Sequence, residues 1–283
     1  MSWKAGINHW AMPDVPVREA AAMAKRAGFE AIELNIDETG EVGLETNRAA
    51  AQALRSAVES EGLEIGGLST GLYWKYSPTD ESAAVRARAQ DIARAQLELA
   101  ANLGAEVILV VPGLVGRGMG EAVVSYDAAY ERAQEFLRVV APAAESTGVV
   151  LGIENVWNKF LLSPLETVAI IDSIGNDSIQ AYFDVGNILR YGYPEQWIRI
   201  LGDRVARIHL KDFSRTSIPE AFVDIGAGDV NWEAVGDALR EVNYSGPLTA
   251  EVSPDETQRA DMDGYIAMIG THVRGVMARM GAT

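Results

Sequence analysis

Four times in this chain a glycine closes an amphipathic stretch and is followed, within one or two residues, by a short apolar run. Ala27-Gly28-Phe29-Glu30, Glu61-Gly62-Leu63-Glu64, Leu103-Gly104-Ala105-Glu106 and Thr147-Gly148-Val149-Val150 share this phrase. Glycine after the last turn of a helix stops it and turns the chain sharply, so each phrase reads as a tight return from helix to strand. Eight apolar runs fit the rhythm: Lys4–His9, Ala31–Ile36, Glu64–Ser69, Glu106–Val111, Val149–Glu154, Ile179–Asp184, Val205–His209 and Leu248–Val252. Helical patterns fall between them at Val17–Ala27, Asn47–Ser60, Glu81–Leu103, Ser125–Thr147, Pro164–Ile174, Glu195–Leu201, Trp232–Val242 and Met262–Met280. Ser163 before Pro164 is a good cap and first turn, and Pro142 is an expected kink. Short apolar strands alternating with amphipathic helices make a parallel sheet with crossover helices. Eight such units in 283 residues predict an α/β fold of one (β/α)8 barrel, a single domain over residues 1–283. A doubly wound open sheet would carry a Gly-rich phosphate loop after its first strand, and Lys4–His9 is followed by none.

Composition removes several function classes. Cysteine is absent, which excludes disulfides, thiolate catalysis and cysteine-based zinc sites. Forty acidic against 24 basic residues give a net charge of −16, which would repel a phosphate backbone, so no nucleic-acid partner is expected. The start, Met1-Ser2-Trp3-Lys4-Ala5-Gly6, does not read as a signal peptide, and no apolar run reaches the span of a bilayer. The expectation is a cytoplasmic enzyme with no membrane partner.

In a barrel of this type the site lies at the C-terminal strand ends. Strands five to eight end in Glu154, Asp184, His209 and Glu251. Any one of them alone is a solvated or ion-paired rim residue as readily as a ligand. Four on four successive strands converge on one rim, and three carboxylates with an imidazole suit a single divalent metal, Mn²⁺ first, with Mg²⁺, Co²⁺ or Zn²⁺ as alternatives. Lys211 shares the strand face of His209. It can hold a phosphate or a sugar hydroxyl, or pair with the carboxylates. Asn8 and His9 end strand one and can reach the far end of a substrate. Trp74 and Trp157 follow strand ends and can wall a pocket, as can Trp10. His272 reads as a surface or packing residue. Gly113, Gly116, Gly118 and Gly120 suggest a mobile loop after strand four.

The motifs Gly152-Ile153-Glu154-Asn155, Phe183-Asp184-Val185-Gly186-Asn187, His209-Leu210-Lys211-Asp212 and Thr249-Ala250-Glu251 resemble those of the xylose-isomerase-like barrel superfamily. Within it the chain is similar to the sugar phosphate isomerase/epimerase group, which includes L-ribulose-5-phosphate 3-epimerases, hexulose-6-phosphate isomerases and ketose 3-epimerases. Ala31-Ile32-Glu33-Leu34-Asn35-Ile36 and the loop after it look like the second strand of the ribulose-phosphate epimerases. The resemblance implies that Glu154, Asp184, His209 and Glu251 bind the metal, that Glu154 and Glu251 double as an acid–base pair, and that the protein is a homodimer or homotetramer. It puts Asn187 where free-ketose epimerases often have a substrate-binding His, and Arg215 where they have a substrate Arg. Phe160 occupies a position that is acidic in some relatives.

The chemistry suits these residues. A hydrogen beside a ketone becomes removable when a chelated metal stabilises the developing cis-enediolate, and carboxylates on the two faces can take and return a proton. The expected function is therefore metal-dependent 3-epimerisation or isomerisation of a ketose or ketose phosphate, with only the small sugar or sugar phosphate as partner. The alternative is a lyase or dehydratase on a keto-sugar or keto-inositol, which would release an elimination product. An endonuclease would need a His-rich cluster and a basic surface, and this chain has three His residues.

Overall fold

The computed structural model describes residues 3–116, 120, 123–217 and 219–282. Gly118 of the glycine-rich stretch lies outside them. The parallel strands β1 (Ala5–Asn8), β2 (Ala31–Asn35), β3 (Glu64–Ser69), β4 (Val107–Val110), β5 (Val150–Glu154), β6 (Ile179–Asp184), β7 (Val205–Leu210) and β10 (Leu248–Ala250) close into a barrel in the order β1-β10-β7-β6-β5-β4-β3-β2. A short antiparallel pair, β8 (Asp212–Ser214) and β9 (Ala221–Val223), follows β7. Around the barrel lie α1 (Val17–Arg26), α2 (Arg48–Ser60), α3 (Ala83–Leu103), α4 (Tyr126–Thr147), α5 (Pro164–Ile174), α7 (Pro194–Leu201), α8 (Trp232–Glu241) and α10 (Met262–Arg279). Two short helices, α6 (Val185–Ile188) and α9 (Glu256–Ala260), sit in the loops after β6 and β10. No helix among the described residues is long and apolar enough to cross a membrane.

The helix ends follow local chemistry. Gly104 and Gly148 sit at φ 78° and 69° after α3 and α4, the left-handed conformation that glycine adopts without steric cost. Asn47 and Ser163 accept hydrogen bonds from the main chain of Ala50 and Glu166 and so cap α2 and α5. α4 runs through Pro142. The strand ends differ from the sequence expectation by a residue or two. At the first strand the reason is visible: the Asn8 side chain accepts from the Trp10 N–H at 2.8 Å, and the chain leaves β1 in a 3₁₀ turn, His9–Ala11. His9 is therefore a turn residue, not a strand residue.

The barrel interior is polar. Asn8, Glu33, Ser69, Tyr182, Arg207, His209 and Thr249 are all buried. Glycine makes the room they need: a Cβ on Gly67 would stand 3.1 Å from the Tyr182 hydroxyl, and one on Gly152 would stand 3.0 Å from the Tyr182 Cβ. Near the strand N-termini, the Arg207 guanidinium donates to the Gly66 carbonyl at 2.8 Å and to Glu106 at 2.9 Å.

One carboxylate organises the loop after β7. Asp212 accepts from the main-chain N–H of Phe213 (2.9 Å), Gly226 (2.9 Å), Gly228 (3.0 Å) and Val230 (3.2 Å), and from the Trp232 indole at 3.3 Å. Gly228 lets the loop approach, because a Cβ there would meet Asp212 Oδ1 at 2.2 Å. Removing this acceptor strands several inward donors, each costing roughly 1–3 kcal/mol if unpaired. Asp212→Ala is expected to lose about 3 kcal/mol of unfolding free energy in urea titration, placing it among the more damaging substitutions; a loss under about 0.5 kcal/mol would mean that the loop is held by other contacts.

Candidate metal centre

Four neighbouring strands bring the chemistry together. Glu154 is the last residue of β5 and Asp184 the last of β6. Asp184 is in register with His209 on β7, and Glu251 follows directly on β10, its N–H donating to Leu210 at 3.2 Å. One ligand atom from each of the four lies within 4.8 Å of the other three. Around the barrel the order β10-β7-β6-β5 puts Glu251 and Glu154 at the two ends of the arc, with His209 and Asp184 between them.

The donor set fits a divalent cation. Asp184 Oδ1 accepts from the Asn187 N–H at 2.7 Å, while Asp184 Oδ2 and Glu251 Oε2 are buried and receive no main-chain donor, so their close neighbours are charged side chains. Such oxygens are costly unless something positive meets them. The Lys211 ammonium is 3.2 Å from the first and 2.7 Å from the second. With Glu154 ionised and His209 neutral, the forms in which both can ligate, three carboxylates against one ammonium leave a net charge of −2, which one divalent cation would balance.

The imidazole is held from behind. His209 Nδ1 faces Glu251 Oε2 (2.7 Å) and Glu154 Oε1 (3.3 Å), while Nε2 lies 3.0 Å and 3.1 Å from the two oxygens of Glu33. Glu33 comes from β2, across the barrel, and is fully buried. It also accepts from Asn8 Nδ2 at 2.6 Å and from the Tyr182 hydroxyl. An ionised carboxylate only accepts, so Nε2 carries the proton. When the ring is neutral, the lone pair is on Nδ1, aimed into the cluster.

Protonation follows the same geometry. Burial and the neighbouring Glu251 push the Glu154 carboxyl up to about 7. Burial would also raise Glu251, but Lys211 and His209 outweigh it and hold Glu251 below the usual carboxylate range. Burial alone would lower His209, yet the Glu33 and Glu251 charges raise it well above the ordinary imidazole value. Burial opposes ionisation of Glu33 too, and His209 with Tyr182 overcomes it. Protons compete with a cation for both Glu154 and His209, so a cation binds more tightly as pH rises, through about 7 for Glu154.

The remaining candidates divide. Lys211 is in the cluster. Trp157 lies beside it: its indole N–H donates to the Asn187 carbonyl at 2.9 Å, and its ring stacks on Phe222 at 4.8 Å. Asn187 is buried, and its amide donates to the Asn155 carbonyl at 2.9 Å, so it ties the β5 and β6 loops together. Asn8 is fully buried against Glu33 and Ser69. His9 Nε2 lies 2.8 Å from the Val15 carbonyl. Trp74 lines a separate cavity of about 290 Å³ with Ser77, Thr79 and Leu114. Arg215 is exposed after β8, its N–H on Asp229. Phe160 is buried against Tyr126 and Tyr130. Glu33, Tyr182 and Phe222 were not among the site residues read from sequence. Only Glu33 carried a signal: a carboxylate between Ile32 and Leu34 in a strand with both faces covered needs a buried partner.

Glu33→Leu is expected to weaken Mn²⁺ binding about 10- to 100-fold in calorimetric titration, the usual scale for removing the partner of a ligating His. Glu33→Gln, whose carbonyl still accepts from Nε2–H, should lose less. Equal losses in both variants would mean that the charge of Glu33, not its hydrogen bond, acts on the site.

Residues 21–268 match the family model described as xylose isomerase-like TIM barrel. SgbU of Escherichia coli K12 is 27% identical over 254 residues, covering 84% of either chain. The L-ribulose-5-phosphate 3-epimerase UlaE of Escherichia coli O157:H7 is 24% identical over 276 residues, 93% of this chain and 90% of that one. Among solved structures, a D-psicose 3-epimerase determined in the presence of D-fructose superposes with a TM-score of 0.80 at 19% identity, covering 98% of this chain and 99% of that one. An L-ribulose 3-epimerase gives 0.77 at 19% identity, covering 98% and 96%. Likeness at that identity speaks for the barrel, and the family match spans most of the chain. The protein belongs to the xylose isomerase-like TIM barrel family, and its relatives are sugar epimerases.

Proposed function

We propose that this protein is a divalent-metal-dependent 3-epimerase of a ketose or ketose phosphate, with Glu154, Asp184, His209 and Glu251 as ligands. The observation that carries the reading is the arc itself: two carboxylates of opposite protonation preference flank an imidazole and a third carboxylate at one rim. Pairs of titratable groups whose surroundings push them apart mark an acid and a base. A bound divalent ion would supply Lewis-acid stabilisation of negative charge developing on the substrate oxygens. Glu251, kept unprotonated by Lys211 and His209, accepts the proton from C3. Glu154, at the other end of the arc, returns a proton to the opposite face and inverts the centre. Lys211 donates to a substrate hydroxyl beside the ligand carboxylates, and Trp157 walls the pocket. The names of the relatives favour C3 as the carbon inverted.

In D₂O the Mn²⁺-loaded protein should place deuterium at C3 of a ketose and yield the C3 epimer with no loss of water. A dehydrated product would replace epimerisation with elimination. Glu251→Gln should lower kcat about 10³-fold, within the range for a lost acid–base group; undiminished exchange in that variant would remove Glu251 as the base.

A further inference from the structure

The cavity walls at the cluster end of the barrel bear on what kind of sugar enters. Two cavities are lined by residues that follow barrel strands at the end carrying the cluster. One, of about 660 Å³, is lined by residues after β1, β2 and β3, among them Trp10, Asp14, Asp37, Glu38 and Lys75. The other, of about 510 Å³, is lined by Lys211 and Glu251 together with Phe222, Asp224, Asp255 and Tyr265. Outside the ligand cluster these walls present carboxylates: Asp14, Asp37 and Glu38 in the first, Asp224 and Asp255 in the second.

The cations there are committed. Lys75 sits on Glu38 at 2.6 Å and over the Tyr76 ring at 4.9 Å, and Lys211 sits on Asp184 and Glu251. Arg190, on the neighbouring loop, lies 3.7 Å from Glu220 and 5.0 Å from the Trp157 ring centre. Arg215 lines neither cavity. A phosphate dianion is normally met by a fork of N–H donors or several free cations, and among the described residues of these walls it would meet carboxylates instead. What the second cavity does offer is an aromatic face: Phe222 is 45% exposed and stacks on Trp157. Such a face suits the C–H side of an uncharged sugar.

We infer that the substrate is unphosphorylated: a free ketose, or a neutral derivative of one, whose far end is hydroxyl. The inference rests on the epimerase reading above, and it parts from the phosphosugar named for UlaE. The charges on the walls exclude the phosphate, and the cluster with its aromatic neighbours accepts the neutral sugar.

The test uses the Mn²⁺-loaded protein in D₂O with five- and six-carbon ketoses and their terminal phosphates, scored by deuterium at C3. Like charges facing each other in a pocket discriminate strongly, so kcat/KM for the best free ketose should exceed that for its phosphate by about 100-fold. Phosphates exchanged as efficiently as free ketoses, or more so, would overturn the inference and leave the epimerase reading standing. Exchange with neither set would overturn both. A second arm frees Lys75: Glu38→Gln should raise the phosphate-to-ketose ratio of kcat/KM about tenfold, and an unchanged ratio counts against the charge argument.

Discussion

The structure turns on a contact inside the barrel, between Glu33 on β2 and the Nε2 of His209 on β7. A carboxylate buried in a sheet is expensive unless it is paired and hydrogen-bonded. Here the imidazole, the Tyr182 hydroxyl and the Asn8 amide supply its partners. Several other features follow from that arrangement. Tyr182 must fill the barrel, so Gly67 and Gly152 carry no side chain in its way. His209 must present Nδ1 to the rim, so the Glu251 and Glu154 carboxylates meet a nitrogen of fixed direction.

Charge alternates along the barrel axis. Arg207 lies near the strand N-termini against Glu106, Glu33 and His209 lie further along, and three carboxylates with Lys211 occupy the rim. A barrel filled with branched apolar side chains would be simpler to stabilise. This interior trades that for a rim whose electrostatics are set before any substrate arrives, which is the condition for stabilising charge that develops during a reaction. The same surroundings separate Glu154 from Glu251: burial beside another carboxylate raises the first, and the ammonium with the imidazole lowers the second.

The barrel and its four rim residues were legible because both depend on local pattern. Gly-terminated helices and apolar runs mark the units, and a strand's last residue is readable once the strand is recognised. What lay hidden depends on contacts distant in sequence. Glu33 and His209 are 176 residues apart, so nothing near His209 reveals its partner. Asp212 reads as one more rim acid, and its role appears only when main-chain donors 14 to 18 residues onward fold over it. Asn187 and Asn8 stand beside strand ends in sequence, yet both amides turn inward to hold loops and the Glu33 carboxylate. The β8–β9 hairpin has three residues in each strand, too short for an alternating pattern to register.

The central claim is that Glu154, Asp184, His209 and Glu251 together hold one divalent ion, and calorimetric titration of metal-free protein with Mn²⁺ at several pH values tests it most directly. The account predicts one ion per chain, binding that tightens as pH rises through about 7 while Glu154 gives up its proton, and loss of that binding in Asp184→Asn. No binding by the native chain, or the same stoichiometry and affinity in the Asp184→Asn variant, would contradict it.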